Sequence, residues 1–251
     1  MTDLMADMAH IGPLAEHLAS IPRLLVATDF DGVLAPIVED PDGTEPIASS
    51  LAALRELAGA AETVVAVVSG RNYAVLAQLV APADQFLLVG SHGAEMGEVT
   101  LNAGEQQVFD RYVAKLEGLA SDFPGLHIET KTVSVAAHFR RLVGPPEAAV
   151  AAVETLTKDW PGKIVRGKEV VEFTLRHATK GDAVTALAAD HAVDATLYMG
   201  DDVTDEDVFV MLGPNDVGIK IGEGATAAAH RIPGPDEVAE FLTVLAAKRS
   251  A

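Results

Sequence analysis

The chain contains no cysteine, which excludes disulfides, thiolate metal sites and cysteine nucleophiles and fits a reducing compartment. Positive charge is scarce: 18 Lys and Arg stand against 37 Asp and Glu, a formal charge of −19. Nucleic acid and anionic membrane surfaces need basic clusters that are missing here. No apolar run approaches the roughly 20 residues of a membrane span. The first nine residues carry Asp3 and Asp7 where a signal peptide would have a basic start and an apolar centre. We therefore expect a soluble, cytoplasmic monomer whose partner is a small molecule, neither nucleic acid nor membrane.

What the chain does have is apolar material: 49% of 251 residues, enough for the core of one large domain or two modest ones. It is organised around Leu24-Leu25-Val26-Ala27-Thr28-Asp29-Phe30-Asp31-Gly32, an apolar run that ends in two carboxylates and a glycine. Such a run reads as a buried strand of a parallel sheet. In open α/β sheets ligands sit beyond the carboxyl ends of the strands. Similar runs follow at Thr63–Val68, ending in Ser69-Gly70-Arg71, at Phe86–Gly90, ending in Ser91-His92-Gly93-Ala94-Glu95, and at Ala195–Met199, ending in Gly200-Asp201-Asp202. Helical spacing lies between them and before them, from Met5 to Ser20. The last strand is expected at Val217–Ile221, before a closing helix from Pro235. This alternation predicts an α/β, Rossmann-like, doubly wound parallel sheet.

From about Asn102 the pattern changes to helix, strand, strand, occurring twice. Its strands are expected to alternate apolar and polar residues, as half-exposed antiparallel strands do. We read an α+β unit over residues 104–174, inserted into a core formed by residues 1–103 and 175–251. Its polar residues, Glu129, Lys131, His138, Arg140, Arg166, Lys168, Glu169 and Glu172, mix acids and bases with few aromatics. A solvated face looks similar. The mixture also suits a polyhydroxylated, anionic ligand, because carboxylates accept from hydroxyls while Lys and Arg meet phosphate.

Two carboxylates as close as Asp29 and Asp31 resist joint ionisation unless one keeps a proton or a cation lies between them. Lys180 opens a helix, where the dipole disfavours a cation and an anionic partner would offset the cost. Asp201 would face Asp29 if its strand lies beside the first. Hard carboxylate oxygens with no Cys or His fit Mg²⁺ better than Zn²⁺. Together these corners suit phosphoryl transfer. Asp29 would be the nucleophile, and Mg²⁺, Lys180 and Ser69 would offset charge on the moving group. Asp31 would act as acid and then base, its carboxyl off the metal and its backbone carbonyl a ligand.

Asp29-Phe30-Asp31-Gly32-Val33-Leu34, Ser69, Lys180 and Gly200-Asp201-Asp202 resemble the four signatures of the haloacid-dehalogenase-like phosphatases. Within that superfamily the chain is similar to the trehalose 6-phosphate phosphatases. The carriers are Ser69-Gly70-Arg71, Gly90 to Glu95, Glu129-Thr130-Lys131, Ser134 to Arg140, Gly167 to Glu172 and Gly200 to Glu206. The resemblance implies an inserted cap, Mg²⁺ dependence and hydrolysis of trehalose 6-phosphate through an aspartyl phosphate. It carries metal ligation to Asp29, the Asp31 carbonyl and Asp201, with Asp202 and Asp205 nearby. It carries substrate binding to Arg71, His92, Glu95, Glu129, Lys131, His138, Arg140, Lys168 and Glu169. Val33, Phe139 and His177 depart from the pattern without removing a charged catalytic group. The alternatives are a phosphatase for sucrose phosphate or mannosylglycerate phosphate, a phosphomutase, and a non-enzymatic receiver-like module.

Overall fold

The computed structural model describes residues 11–38, 43–97, 100–167, 169–175 and 178–250. They fall into two units, Met1–Gly97 with Ala178–Ala251, and Glu98–His177. The divisions lie a few residues outside those expected from the sequence.

The first unit is built on β1 (Leu24–Thr28), flanked by β2 (Thr63–Val68) and β9 (Ala195–Gly200). Beyond these lie β3 (Leu87–Gly90) and β4 (Glu95–Met96) on one side, and β10 (Val217–Ile221) and β11 (His230–Ile232) on the other. All neighbours are parallel except β3 and β4. Strand alternation divides the core between the two faces of this sheet. Leu24 and Val26 join one cluster with α1 (Ile11–Ala19), α2 (Ala48–Gly59), α3 (Tyr73–Leu79) and α8 (Pro235–Arg249). Leu25 and Ala27 join a second with α6 (Lys180–Asp190) and α7 (Glu206–Phe209). Because β1 is covered on both faces, it tolerates an unbroken apolar run, and its carboxyl end is the first place polar residues appear.

Two strands depart from expectation. The last strand is β11, not β10; it has only three residues, and His230 and Arg231 hide its apolar pattern. β4 has two residues and is recognisable only through its pairing of Glu95 with Gly90 and Met96 with Val89.

The second unit has α4 (Ala103–Asp122), β5 (His127–Thr130), β6 (Ser134–His138), α5 (Glu147–Thr157), β7 (Lys163–Gly167) and β8 (Val170–Thr174). The strands form an antiparallel sheet in the order β5-β6-β8-β7. Val135, Ala137, Val171 and Phe173 pack with Phe109, Tyr112 and Val153 of the helices and with Trp160. The Trp160 indole N–H donates to the carbonyls of Lys163 and Thr174 at 3.2 and 3.1 Å. The expected alternation fails on β6 and β8, which are buried on both faces. The polar face there carries Ser134, Ala136 and Glu172, which are small or internally hydrogen-bonded and so tolerate burial.

Candidate active site

Asp29 leaves the end of β1 with its backbone N–H still bonded to the Met199 carbonyl of β9 at 2.9 Å. Its Oδ1 accepts from the Phe30 N–H at 2.6 Å, and its Oδ2 accepts from Lys180 Nζ at 2.6 Å. Lys180 is placed by a capping box. The Thr179 hydroxyl accepts from the Asp182 N–H at 3.1 Å, and the Asp182 carboxylate accepts from the Thr179 N–H at 2.9 Å. This starts α6 at Lys180 and turns the lysine, itself buried, toward two anions. The second is Asp205, whose Oδ1 accepts from Lys180 Nζ at 2.8 Å and from the Tyr198 hydroxyl at 2.6 Å. Its Oδ2 accepts from the Asp202 N–H at 2.9 Å.

Asp201 follows β9, the neighbour of β1, and the carboxylates of Asp29, Asp201 and Asp205 offer oxygens all within 4.8 Å of one another. The approach depends on Gly32, at φ +74°, because a Cβ there would overlap the Asp201 carboxylate. A non-glycine residue would be strained by the turn and blocked by the contact. Three acids and one lysine leave an excess of negative charge. Burial pushes the Asp29 carboxyl well above the ordinary carboxylate range; Lys180 opposes this, while Asp205 and Asp201 add to it. Burial also pushes Asp201 up to about 6, with Asp205 reinforcing the rise. Lys180 moves up as well: burial would lower it, but Asp29 and Asp205 outweigh that effect. Burial and the charge of Asp205 keep Tyr198 protonated well past its usual range.

This donor set fits a hard divalent cation. It is all oxygen and it carries surplus charge. Asp205 has both oxygens committed, to Lys180 with Tyr198 and to the Asp202 amide, so it holds the lysine in place. Asp29 carries one donor on each of its own oxygens, and all three acids are close enough to share a cation. The Asp202 side chain is exposed, and its described bond to Asp205 is made by its backbone.

Asp31 is turned another way. Its Oδ2 and Oδ1 accept from Arg71 Nε and Nη2, both at 2.7 Å. Arg71 also donates to the Thr44 hydroxyl at 2.9 Å and lies 5.7 Å from the Phe30 ring centroid. This fork occupies the guanidinium expected to meet substrate. Ser69 is buried at the end of β2, its Oγ accepting from the Arg71 N–H at 3.2 Å. Of the two residues expected from the turn after β3, His92 is half-buried and Glu95 fully buried. The His92 ring lies against Gly70, and Glu95 is buried with Oε2 accepting from the Tyr73 N–H at 2.6 Å.

In the second unit, His127 and Glu129 of β5, Ser134 and His138 of β6 and Glu172 of β8 share one face of the sheet. Glu129 Oε2 and His138 Nε2 are 3.0 Å apart. The hydrogen bond to His138 lowers the Glu129 carboxyl more than burial raises it. Glu172 Oε1 accepts from Lys131 Nζ at 3.1 Å and from the Ser134 hydroxyl at 2.6 Å. Arg140 and Glu169 form a looser, exposed pair at 3.8 Å. Lys168 lies outside the described residues.

Tyr198, Lys220 and Thr44 take part in these networks although none stood among the expected site residues, and Glu172 was expected only as one of the polar residues of the inserted unit. Lys220 is buried in β10 and donates to the Asp201 carbonyl. A lone lysine inside Val-Gly-Ile-Lys-Ile was a readable signal. Tyr198 offered less, being an ordinary strand residue by type.

The fold and site define a doubly wound α/β protein with an inserted α+β unit and a buried carboxylate–lysine centre suited to a divalent cation. The chain belongs to the trehalose-phosphatase family, whose model matches residues 27–231. It is 36% identical to a trehalose-phosphate phosphatase of Mycobacterium marinum over 92% of this chain and 63% of that protein, so it spans about two-thirds of that relative's length at most. It is 31% identical to the trehalose-6-phosphate phosphatase of Escherichia coli, over 92% of this chain and 91% of that protein. Among solved structures, the C-terminal domain of a Candida albicans trehalose-6-phosphate phosphatase superposes with a TM-score of 0.75 over 94% of this chain and 96% of that one. At 24% identity that likeness shows the fold.

Proposed function

We propose that the chain hydrolyses trehalose 6-phosphate to trehalose and phosphate, with Asp29 as nucleophile. The observation that carries this reading is the Lys180 ammonium 2.6 Å from Asp29, with Asp201 at the end of the neighbouring strand. Asp29 attacks phosphorus as the bond from phosphorus to the sugar oxygen breaks, forming an aspartyl phosphate that water then hydrolyses. Lys180 offsets charge on the phosphoryl oxygens, and Ser69 adds a hydroxyl donor. Asp31 gives a proton to the leaving sugar oxygen and later takes one from the attacking water. To deliver that proton, one Asp31 oxygen must leave the Arg71 fork, and phosphate is a natural alternative partner for a guanidinium. Asp29, Asp201 and the Asp31 carbonyl would hold Mg²⁺, which when bound supplies Lewis-acid polarisation of the phosphoryl group.

The second unit would recognise the sugar through Glu129, Lys131, His138, Arg140, Lys168 and Glu169, to which we add Glu172. Its hydrogen-bonded acids and bases match an array of hydroxyls. We place the activity in a reducing cytoplasm, consistent with the absence of cysteine. Among the described residues no helix is long and apolar enough to cross a membrane.

The test is phosphate release from a panel of trehalose, sucrose and mannosylglycerate phosphates, with and without Mg²⁺. Trehalose 6-phosphate is expected to be the preferred substrate, with turnover lost in Asp29→Asn. Unimpaired turnover in that variant would remove Asp29 as nucleophile, and preference for sucrose phosphate would remove the substrate assignment.

A further inference from the structure

Between β3 and β4 the backbone runs through three successive left-handed residues: Ser91 at φ 49°, His92 at φ 56° and Gly93 at φ 106°. Two of these carry a Cβ, so each costs about 1 kcal/mol or more relative to ordinary backbone. The same turn buries the Ser91 hydroxyl and Glu95 Oε1, neither of which has a hydrogen-bonding partner among the described residues. The turn is locally costly at these atoms, and its role lies in what it touches.

On one side the Ser91 N–H donates to the Arg71 carbonyl at 2.8 Å, and the His92 N–H donates to the Ser69 carbonyl at 3.0 Å. Glu95 then accepts from the Tyr73 N–H at 2.6 Å, so three successive attachments fasten the Ser69–Tyr73 segment. Gly70 lies under the His92 ring so closely that a Cβ there would stand 2.5 Å from His92 Cε1. On the other side, a Cβ on Gly93 would overlap the Thr179 carbonyl and approach 2.6 Å from its carbon. Thr179 is the cap that starts α6 at Lys180.

We infer that the Ser91–Glu95 turn is a spacer that sets the positions of Ser69 and Arg71 on one flank and of Lys180 on the other. His92, Gly93 and Glu95 are thus positioning residues rather than groups that meet substrate. This rests on the phosphatase reading, and it deepens that reading by assigning to backbone geometry what the resemblance assigns to side-chain contacts. An error of about 1 Å in a catalytic group costs on the order of 100-fold in rate. A turn that touches both flanks through backbone atoms has that leverage without contacting the reacting atoms.

The experiment compares His92→Asn and His92→Gly, which keep the left-handed backbone, with His92→Val, which resists it. Turnover is followed on trehalose 6-phosphate and p-nitrophenyl phosphate, and folding by thermal melts. His92→Val is expected to lose about 100-fold in kcat with KM little changed. His92→Asn and His92→Gly should recover most of that loss on both substrates. Equal losses in all three variants would show that the imidazole itself is needed and would overturn the inference, as would full kcat in His92→Val. Because p-nitrophenyl phosphate has no sugar, wild-type turnover of it alone would sink the trehalose assignment while leaving the His92 ordering readable. A crystal structure of Gly93→Ala gives a readout that does not depend on activity. Lys180 Nζ is expected to leave its 2.6 Å position beside Asp29, and an unmoved lysine would count against the spacer.

Discussion

Two cations sit at opposite ends of the same sheet and are satisfied in opposite ways. Lys180, at the carboxyl end of β1, is buried between Asp29 and Asp205, with Asp201 close by. Arg249, near the end of α8, closes the amino end with neutral partners: the Thr63 hydroxyl and the carbonyls of Leu18, Ala19, Ile21, Pro22 and Glu62. Its guanidinium caps α1 and ties it to the entries of β1 and β2, and burial acts on it by modestly lowering its proton affinity. Carbonyl dipoles satisfy an Arg without creating new charge, so that end of the sheet is electrostatically finished. The Lys180 end is unfinished, because its acids outnumber its base and their own carboxyls are pushed upward. A structural cation completes its surroundings, whereas a catalytic centre retains charge that substrate or metal must complete.

Breaking each cation sharpens the contrast. Lys180→Met is expected to lower phosphate release by about 1000-fold or more, because it removes the positive charge facing the phosphoryl oxygens. Thermal melting of the same sample checks folding, which is expected to survive because Asp29 and Asp205, deprived of the lysine, can take up protons to relieve the loss. Arg249→Ala should do the reverse, leaving kcat unchanged while removing about 2 kcal/mol of stability through several lost charge-assisted bonds. The corresponding fall in Tm is several degrees for a chain of this size. If Arg249→Ala cost activity in proportion to Lys180→Met, the two ends would not be separable and the contrast would collapse.

How much of this was legible in the sequence follows from which interactions are local. The long strands β1, β2, β9 and β10 announced themselves as apolar runs, and the capping box at Thr179 made the start of α6 readable. The acid pairs at strand ends pointed to a charged centre, because carboxylates so close resist joint ionisation without a proton or a cation between them. Long-range partnerships were not legible. Nothing near Arg71 in sequence says that its fork closes on Asp31, forty residues earlier, or that Thr44 joins it. The resemblance put Asp205 near the metal, and only its bonds to Lys180 and Tyr198 show that it anchors the lysine. The family resemblance assigned Glu95 to the substrate, and no local feature of the sequence says what packs around it. Its burial against Tyr73 depends on β4, which is too short to leave a periodic signal.

Lys220 offers the finest test of the comparison, because it is a buried cation that combines both modes. Like Arg249 it donates to a backbone carbonyl, but that carbonyl belongs to Asp201, and its charge also works to lower the carboxyl of the same residue. If the carboxyl end of the sheet is organised to receive Mg²⁺, Lys220 acts on the metal through the orientation of Asp201. Lys220→Met is then expected to weaken Mg²⁺ binding by about tenfold, the scale typical of groups that orient a ligand from behind. Lys220→Arg should lose less, since it keeps a charged donor on the same strand. Titration calorimetry reads the affinity, and melts recorded with and without Mg²⁺ separate it from folding. A purely structural lysine would lower both melting curves equally and leave the Mg²⁺-dependent increment intact. A positioning lysine would shrink the increment itself, because the stabilisation by a bound ion falls with its affinity at a fixed ion concentration.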